Sequence, residues 1–321
     1  MTCFKRAVKL GLTCAVFALL ISAAQASTIQ VGCLGSLYHT IQDGVNAANS
    51  GDTVLVCKGI YAENVSVTTS DLTIKAANQV LLVPGDSTVP GFDVFANGVT
   101  IENFEIRGFG GSSGIEVDKF GSQPVGGELF KNNNIHDNGT GIALDHSSGN
   151  NWVTNNSVHN NSGDGIFDNG TAGSDYFVSN QAFQNGGTGG IVIANTSAAN
   201  SAYLIDNQVK GNTADGVYLN FASNVSLEHN LMSSNGNDGF EAEGSNTNCI
   251  IGNSADANGN NGLEFHSDSI YSEVKSNKMY GNASFDATDH SGGGSGPGGV
   301  SNAWTNDHCL KDSPVGLCKH P

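Results

Sequence analysis

Glu241, Glu243, Glu264 and His266 fall at matching places in two successive units of a chain that repeats itself. If equivalent positions stack about 5 Å apart, as neighbouring strands do, these four side chains share one outward patch, with Tyr218, Asn220 and Asp268 at its edge. Carboxylates that close repel, so one of them holds its proton or the group recruits a cation. Glu241, Glu243 and Glu264 are therefore candidate metal ligands. An all-oxygen set suits calcium, and an added imidazole moves the preference towards a transition metal. A carboxyl with a raised pKa beside a neutral imidazole can also act as general acid or base. That makes Glu241, Glu264 and His266 the candidate catalytic residues. The plainer alternative is a solvated acidic face on an acidic protein.

A second column reads Trp152, Tyr176, Tyr203, Ser226, Cys249. Three aromatic rings on consecutive units can form a strip on which sugars stack, and with Tyr218 they are the candidate substrate-binding residues. The alternative is a hydrophobic ladder packed beneath a loop, since an exposed apolar strip needs a reason. His136 and His159 also stack. A histidine pair can bind metal, although two surface imidazoles need do nothing more.

These alignments rest on the repeat. Asn133, Asn156, Asn180, Asn207, Asn230, Asn253 and Asn277 are separated by 23, 24, 27, 23, 23 and 24 residues. Each is followed two residues later by an apolar side chain and three further on by a second asparagine, Asn138 through Asn282. A glycine and an apolar residue then follow in all but the last unit, from Gly141-Ile142 to Gly262-Leu263. A period in the twenties implies a solenoid, and the spaced leucines of leucine-rich repeats are missing. Val153, Phe177, Leu204, Leu227, Ile250 and Val274 make one inward column; Ile142, Ile166, Ile191, Val217, Phe240 and Leu263 make another. One coil cannot bury such a face alone, and stacked coils can. The fold class expected is all-β, a parallel β-helix solenoid of about ten coils. Asparagine suits its corners through its tolerance of left-handed backbone and through amide ladders. Glycine would supply positive φ at the next turn.

The chain divides into residues 1–26 as signal peptide, 27–57 as N-terminal cap and lead-in strand, 58–290 as the coils, and 291–321 as a Gly-rich loop and tail. Lys5, Arg6 and Lys9 precede an apolar run from Leu10 to Ile21 and an A-x-A site at Ala24–Ala26, the pattern of a secretory leader. Its removal would take three of the 13 basic residues and none of the 30 acidic ones, moving the net charge from −17 to −20. Such a surface repels nucleic acid and anionic membranes. It also repels polyuronates unless a divalent cation intervenes. No later segment is long enough to span a membrane, and the localisation expected is secreted or periplasmic. Thr40–Asn49 reads as a short helix with Ile41, Val45 and Ala48 on one face, placed to cover the open end of the solenoid.

Five cysteines lie beyond the leader. An oxidising compartment favours bridges, and the expected pairs are Cys33 with Cys57 and Cys309 with Cys318, leaving Cys249 as a lone thiol. The rival for the tail is a metal site of His308, Cys309, Cys318 and His320.

The segments Thr40–Val56 and Gly59–Val67 resemble the lead-in of many β-helix proteins. The asparagine-marked repeat resembles the right-handed parallel β-helix superfamily, which includes the pectate-lyase-like proteins. Asn302-x-Trp304 followed by Cys309, Pro314 and Gly316-x-Cys318 resembles the tail of secreted bacterial β-helix proteins of unassigned activity. The resemblance implies a right-handed solenoid with an N-terminal capping helix, and a fold that hosts lyases, hydrolases, epimerases and non-catalytic proteins alike. The family's enzyme motifs are not met. Asn-Thr-Asp, Asp-Asp and Gly-His-Gly are absent, and Asp286–His290 lacks the proline of the epimerase Asp-Pro-His. The single arginine beyond the leader, Arg107, is far along the chain from Glu241. No Met/His/Cys array suits the soft copper chemistry of the periplasmic β-helix proteins that serve nitrous-oxide reductase. The leading expectation is a carbohydrate-binding or cell-surface protein with polysaccharide as partner. The alternative is a calcium-assisted polysaccharide lyase or C5-epimerase, calcium then being the one cofactor. A non-catalytic structural solenoid is the third reading.

Overall fold

The computed structural model describes residues 26–118, 123–145, 147–170, 173–196 and 201–320. The leader lies outside them, save Ala26. Three parallel sheets wind around one axis. Sheet A has twelve strands, from Thr28–Val31 to Ala303–Thr305. Sheet B has ten, from Gly59–Ala62 to Lys278–Tyr280, and sheet C eleven, from Val65–Val67 to Asp312–Ser313. The coils therefore number about eleven, one more than the repeat suggested.

Alternation along each short strand fills the interior. Val153, Phe177, Leu204, Leu227, Ile250 and Val274 from sheet A and Ile142, Ile166, Ile191, Val217, Phe240 and Leu263 from sheet C are all fully buried. Sheet B contributes Ile135, Val158, Ala182, Val209, Met232, Ala255 and Met279. A fourth inward column, two residues on in sheet C, reads Leu144, Asp168, Ile193, Leu219, Ala242 and Phe265. Asp168 is thus a carboxylate inside the hydrophobic core. Both its oxygens lack a hydrogen-bond partner.

The asparagines form two buried ladders. The backbone N–H and Nδ2 of Asn207 both donate to Asn230 Oδ1, at 2.9 Å each, and its own Oδ1 receives the same pair from Asn180. Each Nδ2 also reaches back to a backbone carbonyl, as Asn207 does to Phe177. Both ladders end on a carboxylate. Asp307 Oδ1 accepts from Asn277, and Asp286 Oδ1 from Asn282. The second oxygens of these aspartates accept backbone N–H groups of the tail, Thr305 for Asp307 and Leu310 and Lys311 for Asp286.

Two expectations about the corners are corrected. The left-handed residue is the one before each ladder asparagine, Asn132, Asn155, Ser179, Asp206, His229, Gly252 and Ser276, and not the ladder asparagine itself. The repeat glycines do not have positive φ. They are glycine because the coils approach too closely for a side chain. A Cβ at Gly239 would lie 2.7 Å from Gly262 O and 2.8 Å from Asn258 Nδ2.

A helix over Ile41–Ala47 covers the N-terminal end with Ile41 and Val45 buried, and Ala48 serves as its C-cap. Its first N–H groups are satisfied by the Thr40 hydroxyl and by the Glu63 carboxylate, which takes Ile41 N and Gln42 N at 2.8 and 2.9 Å. At the other end Trp304 closes the sheet A column, its ring edge-on to Phe265 and its Nε1 donating to Asp289 at 2.7 Å. Cys33–Cys57 and Cys309–Cys318 are disulfides, as expected. Among the described residues, no helix is long and apolar enough to cross a membrane.

Candidate functional site

The outer face of sheet C carries the patch. Register places Tyr218, Glu241 and Glu264 in one column and Asn220 and Glu243 in the next. Glu241 Oε1 lies 2.9 Å from His266 Nε2. Glu264 Oε1 lies 3.9 Å from the same nitrogen and 3.4 Å from His290 Nε2. Glu243 is drawn elsewhere: its Oε2 accepts the Tyr218 hydroxyl at 2.5 Å. Burial, and then that bond, push the Tyr218 phenol pKa up. Glu241, Glu264 and His266 therefore form one constellation, with Tyr218–Glu243 as a bonded pair beside it. Asp268 accepts Gly244 N at the edge.

Two carboxylates missing from the sequence reading complete the centre. Asp215 and Asp238 each stand immediately before a repeat glycine, at the turn that leads into sheet C. Oxygens of Asp215, Asp238 and Glu241 lie within 4.8 Å of one another. The aspartates are 6% and 1% exposed. Backbone amides fix them: Asp238 N donates to Asp215 Oδ1 at 2.8 Å and Asn261 N to Asp238 Oδ1 at 2.5 Å. Asn237 Nδ2 also donates to Asp215 Oδ1, at 2.7 Å, and Asn261 Nδ2 to Glu264 Oε2, at 2.5 Å. The sequence did hold a signal, since Asp164, Asp215 and Asp238 precede Gly165, Gly216 and Gly239, and Asn261 precedes Gly262.

Burial pushes the pKa values of Asp215, Asp238 and Glu241 above the usual carboxylate range, and their mutual charges add to it. Glu241 is raised by Asp215, and Asp238 by Glu264, while Asp215 is eased by its bond with Glu241. Burial and mutual repulsion of this kind are relieved by a proton or by a cation. Among the described residues, the ion-pair partners of the patch are imidazoles. Lys275 and Lys278 belong to sheets A and B, and Arg107 pairs with Glu105 on sheet B.

The aromatic column is continuous but turned on itself. Trp152 and Tyr176 stack at 4.3 Å and 10°, Tyr176 and Tyr203 at 4.9 Å and 7°. The facing sides of these rings are covered by one another, so along the column the edges meet solvent. His136 and His159 stack likewise at 4.9 Å, and His159 continues onto Phe183. Stacked rings do not converge their nitrogens on one point.

Coils with inward apolar columns, internal amide ladders and an acidic cluster on the outer face of one sheet define a parallel β-solenoid with a candidate site on its surface. Residues 37–200, just over half the chain, match the model of the right-handed beta helix region, and the protein belongs to that family. Residues 171–308 also match the model described as periplasmic copper-binding protein (NosD). The thioethers in that span do not fit copper: Met232 and Met279 are fully buried core side chains. A comparison with curated protein sequences finds no match. Among solved structures, the A-module of the Azotobacter vinelandii mannuronan C-5 epimerase AlgE6 is similar, with a TM-score of 0.62 at 18% identity over 84% of this chain and 88% of that one. XylC, solved with xylose, has a TM-score of 0.62 at 12% identity over 79% and 69%. The enzymatically active domain of bacteriophage CBA120 tailspike protein 2 has a TM-score of 0.56 at 12% over 89% and 47%. At these identities the likeness is one of fold. The bridges and the periplasmic family match are consistent with a protein outside the cytoplasm.

Proposed function

We propose that the protein binds an anionic polysaccharide on the outer face of sheet C, through a calcium-class divalent cation held by Asp215, Asp238 and Glu241. The observation that carries this reading is the convergence of those three carboxylates within 4.8 Å of one another, two of them nearly buried. Carboxylates so placed repel, and a cation relieves the repulsion where a proton otherwise must. The −20 charge adds a reason, because a polyuronate would be repelled without a bridging cation. Fold neighbours named for mannuronan and xylose agree with a glycan ligand. Export to the periplasm or beyond belongs to the same reading.

One contact favours a catalytic version. Glu241 meets His266 at 2.9 Å, with Glu264 beside it. With Glu241 holding the cation, the His266 imidazole beside it can serve as the general base. With the uronate carboxylate neutralised by the cation, it is suited to moving the proton at C5. A lyase or C5-epimerase is therefore the second reading. In either, Glu264 orients His266 and Tyr218 borders the sugar.

The test is calorimetric titration of calcium into the exported form, with and without oligouronates, alongside ultraviolet absorbance for unsaturated products. Asp238→Asn is expected to melt higher than the parent without calcium, because a carboxyl that is costly to bury and to ionise is gone. It should lose at least tenfold in calcium affinity and, with it, the glycan. An Asp238→Asn variant that binds calcium and glycan as well as the parent removes the site. Product formation that stops in Glu264→Gln makes the protein a lyase. Binding without product or change of stereochemistry leaves it a lectin-like solenoid.

A further inference from the structure

We infer that the C-terminal tail has a second way to close. When the Cys309–Cys318 bridge is reduced, Cys309, Asp312, Cys318 and His320 take up a zinc-class ion. One ligand atom from each lies within 4.8 Å of all the others. Four donors around a tetrahedral zinc, at bonds of ~2.0–2.3 Å, stand about 3.3–3.8 Å apart, so on reduction the two sulfurs, bonded to each other here, must part to that spacing, while the imidazole and carboxylate, 3.0 Å apart, need a small spread. Two sulfurs, one imidazole and one carboxylate are donors that zinc accepts. Their spacing is two short pairs, Cys309-x-x-Asp312 and Cys318-x-His320, joined by a turn. Asp312, and not the His308 considered from sequence, completes the group.

The carboxylate is already placed for the task. Asp312 is 7% exposed. Its Oδ2 accepts Gly316 N, Leu317 N and Cys318 N at 2.7, 2.9 and 3.4 Å. Its Oδ1 is left facing His320 Nε2 at 3.0 Å. Among the described residues no lysine competes for it: Lys319 Nζ bonds Asn306, and Lys311 Nζ bonds the carbonyls of Asn282, Ala283 and Ser284. The tail strand holding Asp312 pairs with Ala287–Asp289, so the group sits where the last coil is covered. In the step proposed, a dithiol reductant gives two electrons and two protons to the Cys309–Cys318 bond and leaves as its own disulfide. Zinc then displaces the two thiol protons to solvent, and neutral His320 and ionised Asp312 complete the shell.

The experiment uses the exported chain reduced by a phosphine without oxygen and titrated with Co2+ and then Zn2+. Expected are one equivalent of cobalt with thiolate-to-metal absorption, its displacement by zinc, and recovery by zinc of most of the melting temperature lost on reduction. Cys33→Ser/Cys57→Ser should bind the same equivalent. His320→Gln should weaken the metal at least tenfold while the oxidised protein melts as before. Thiolate absorption that persists in Cys309→Ser/Cys318→Ser overturns the proposal, and so does metal affinity unchanged in His320→Gln. Zinc that leaves the reduced parent's melting unchanged overturns it as well.

Discussion

An Asn207→Ala variant is expected to melt roughly 3–10 °C below the parent protein. Asn207 is 1% exposed and sits in the middle of its ladder. Its Oδ1 accepts both Asn180 N and Asn180 Nδ2, and its Nδ2 donates to Phe177 O and Asn230 Oδ1. Alanine leaves the Asn180 N–H without its ladder acceptor and takes one donor from the Phe177 carbonyl. A buried group left unpaired costs about 1–3 kcal/mol, and the lost side chain adds a small cavity. Asn207→Asp is the sharper control. It keeps the size and the acceptor for Asn180, but it turns the Nδ2 donor into an acceptor facing two other acceptors. Differential scanning calorimetry of both variants reads the effect. A fall of less than ~2 °C in either, below one unpaired group on the same scale, would mean that the ladder bonds are replaceable and the account is wrong.

The second large effect has the opposite sign. Asp168→Leu is expected to stabilise the protein at pH 8 by about 2–4 kcal/mol. Asp168 is fully buried between Leu144 and Ile193 in an inward column, so leucine continues the column without stranding any partner. Burial, and then the charge of Asp175, raise its pKa well above the ordinary value. Glu128 is pushed up to about 8 by burial, with Asp175 again adding. A raised folded-state pKa means that the folded form holds its proton more tightly than the unfolded chain does. The penalty is absent below the unfolded value of about 3.9. It grows as pH rises, until the folded group ionises. The difference between variant and parent should therefore be small at pH 4 and widen through pH 6 and 8. Denaturant melts at the three pH values measure it. A gap constant with pH, or a destabilised variant, would contradict the burial of an unpaired carboxyl.

Much of this was legible in the chain. The spacing of the asparagines and the apolar residue two positions after each gave the register, and the contacts Glu241–His266 and Trp152–Tyr176–Tyr203 follow from register alone. What failed has physical reasons. A recurring glycine reveals that a side chain is forbidden there, but not whether dihedral or contact forbids it. At Gly239 it is contact with the next coil. Asp215 and Asp238 were passed over because a polar residue before a glycine looks like an ordinary turn. Only the fold turns those residues onto the sheet C face. Asp168 occupies an inward parity that the alternation defines. Tallying apolar positions alone skips a column whose one exception is charged. The stacked rings were found, but a list of residues does not say whether faces or edges point outward.

The carboxylates that end the two ladders give the solenoid a direction. Every asparagine in a ladder passes its backbone N–H and one Nδ2 hydrogen to the next coil and turns its Oδ1 to the coil before, so these dipoles add and the donor end is electropositive, as the start of an α-helix is. Asp286 and Asp307 place negative charge there, and neither offers an N–H to continue the series. A coil inserted anywhere upstream finds an acceptor ahead and donors behind, and joins without a new partner. A coil appended after them finds no side-chain donor. Length in such a molecule is open in the middle and closed at one end, and the two aspartates act as its terminators.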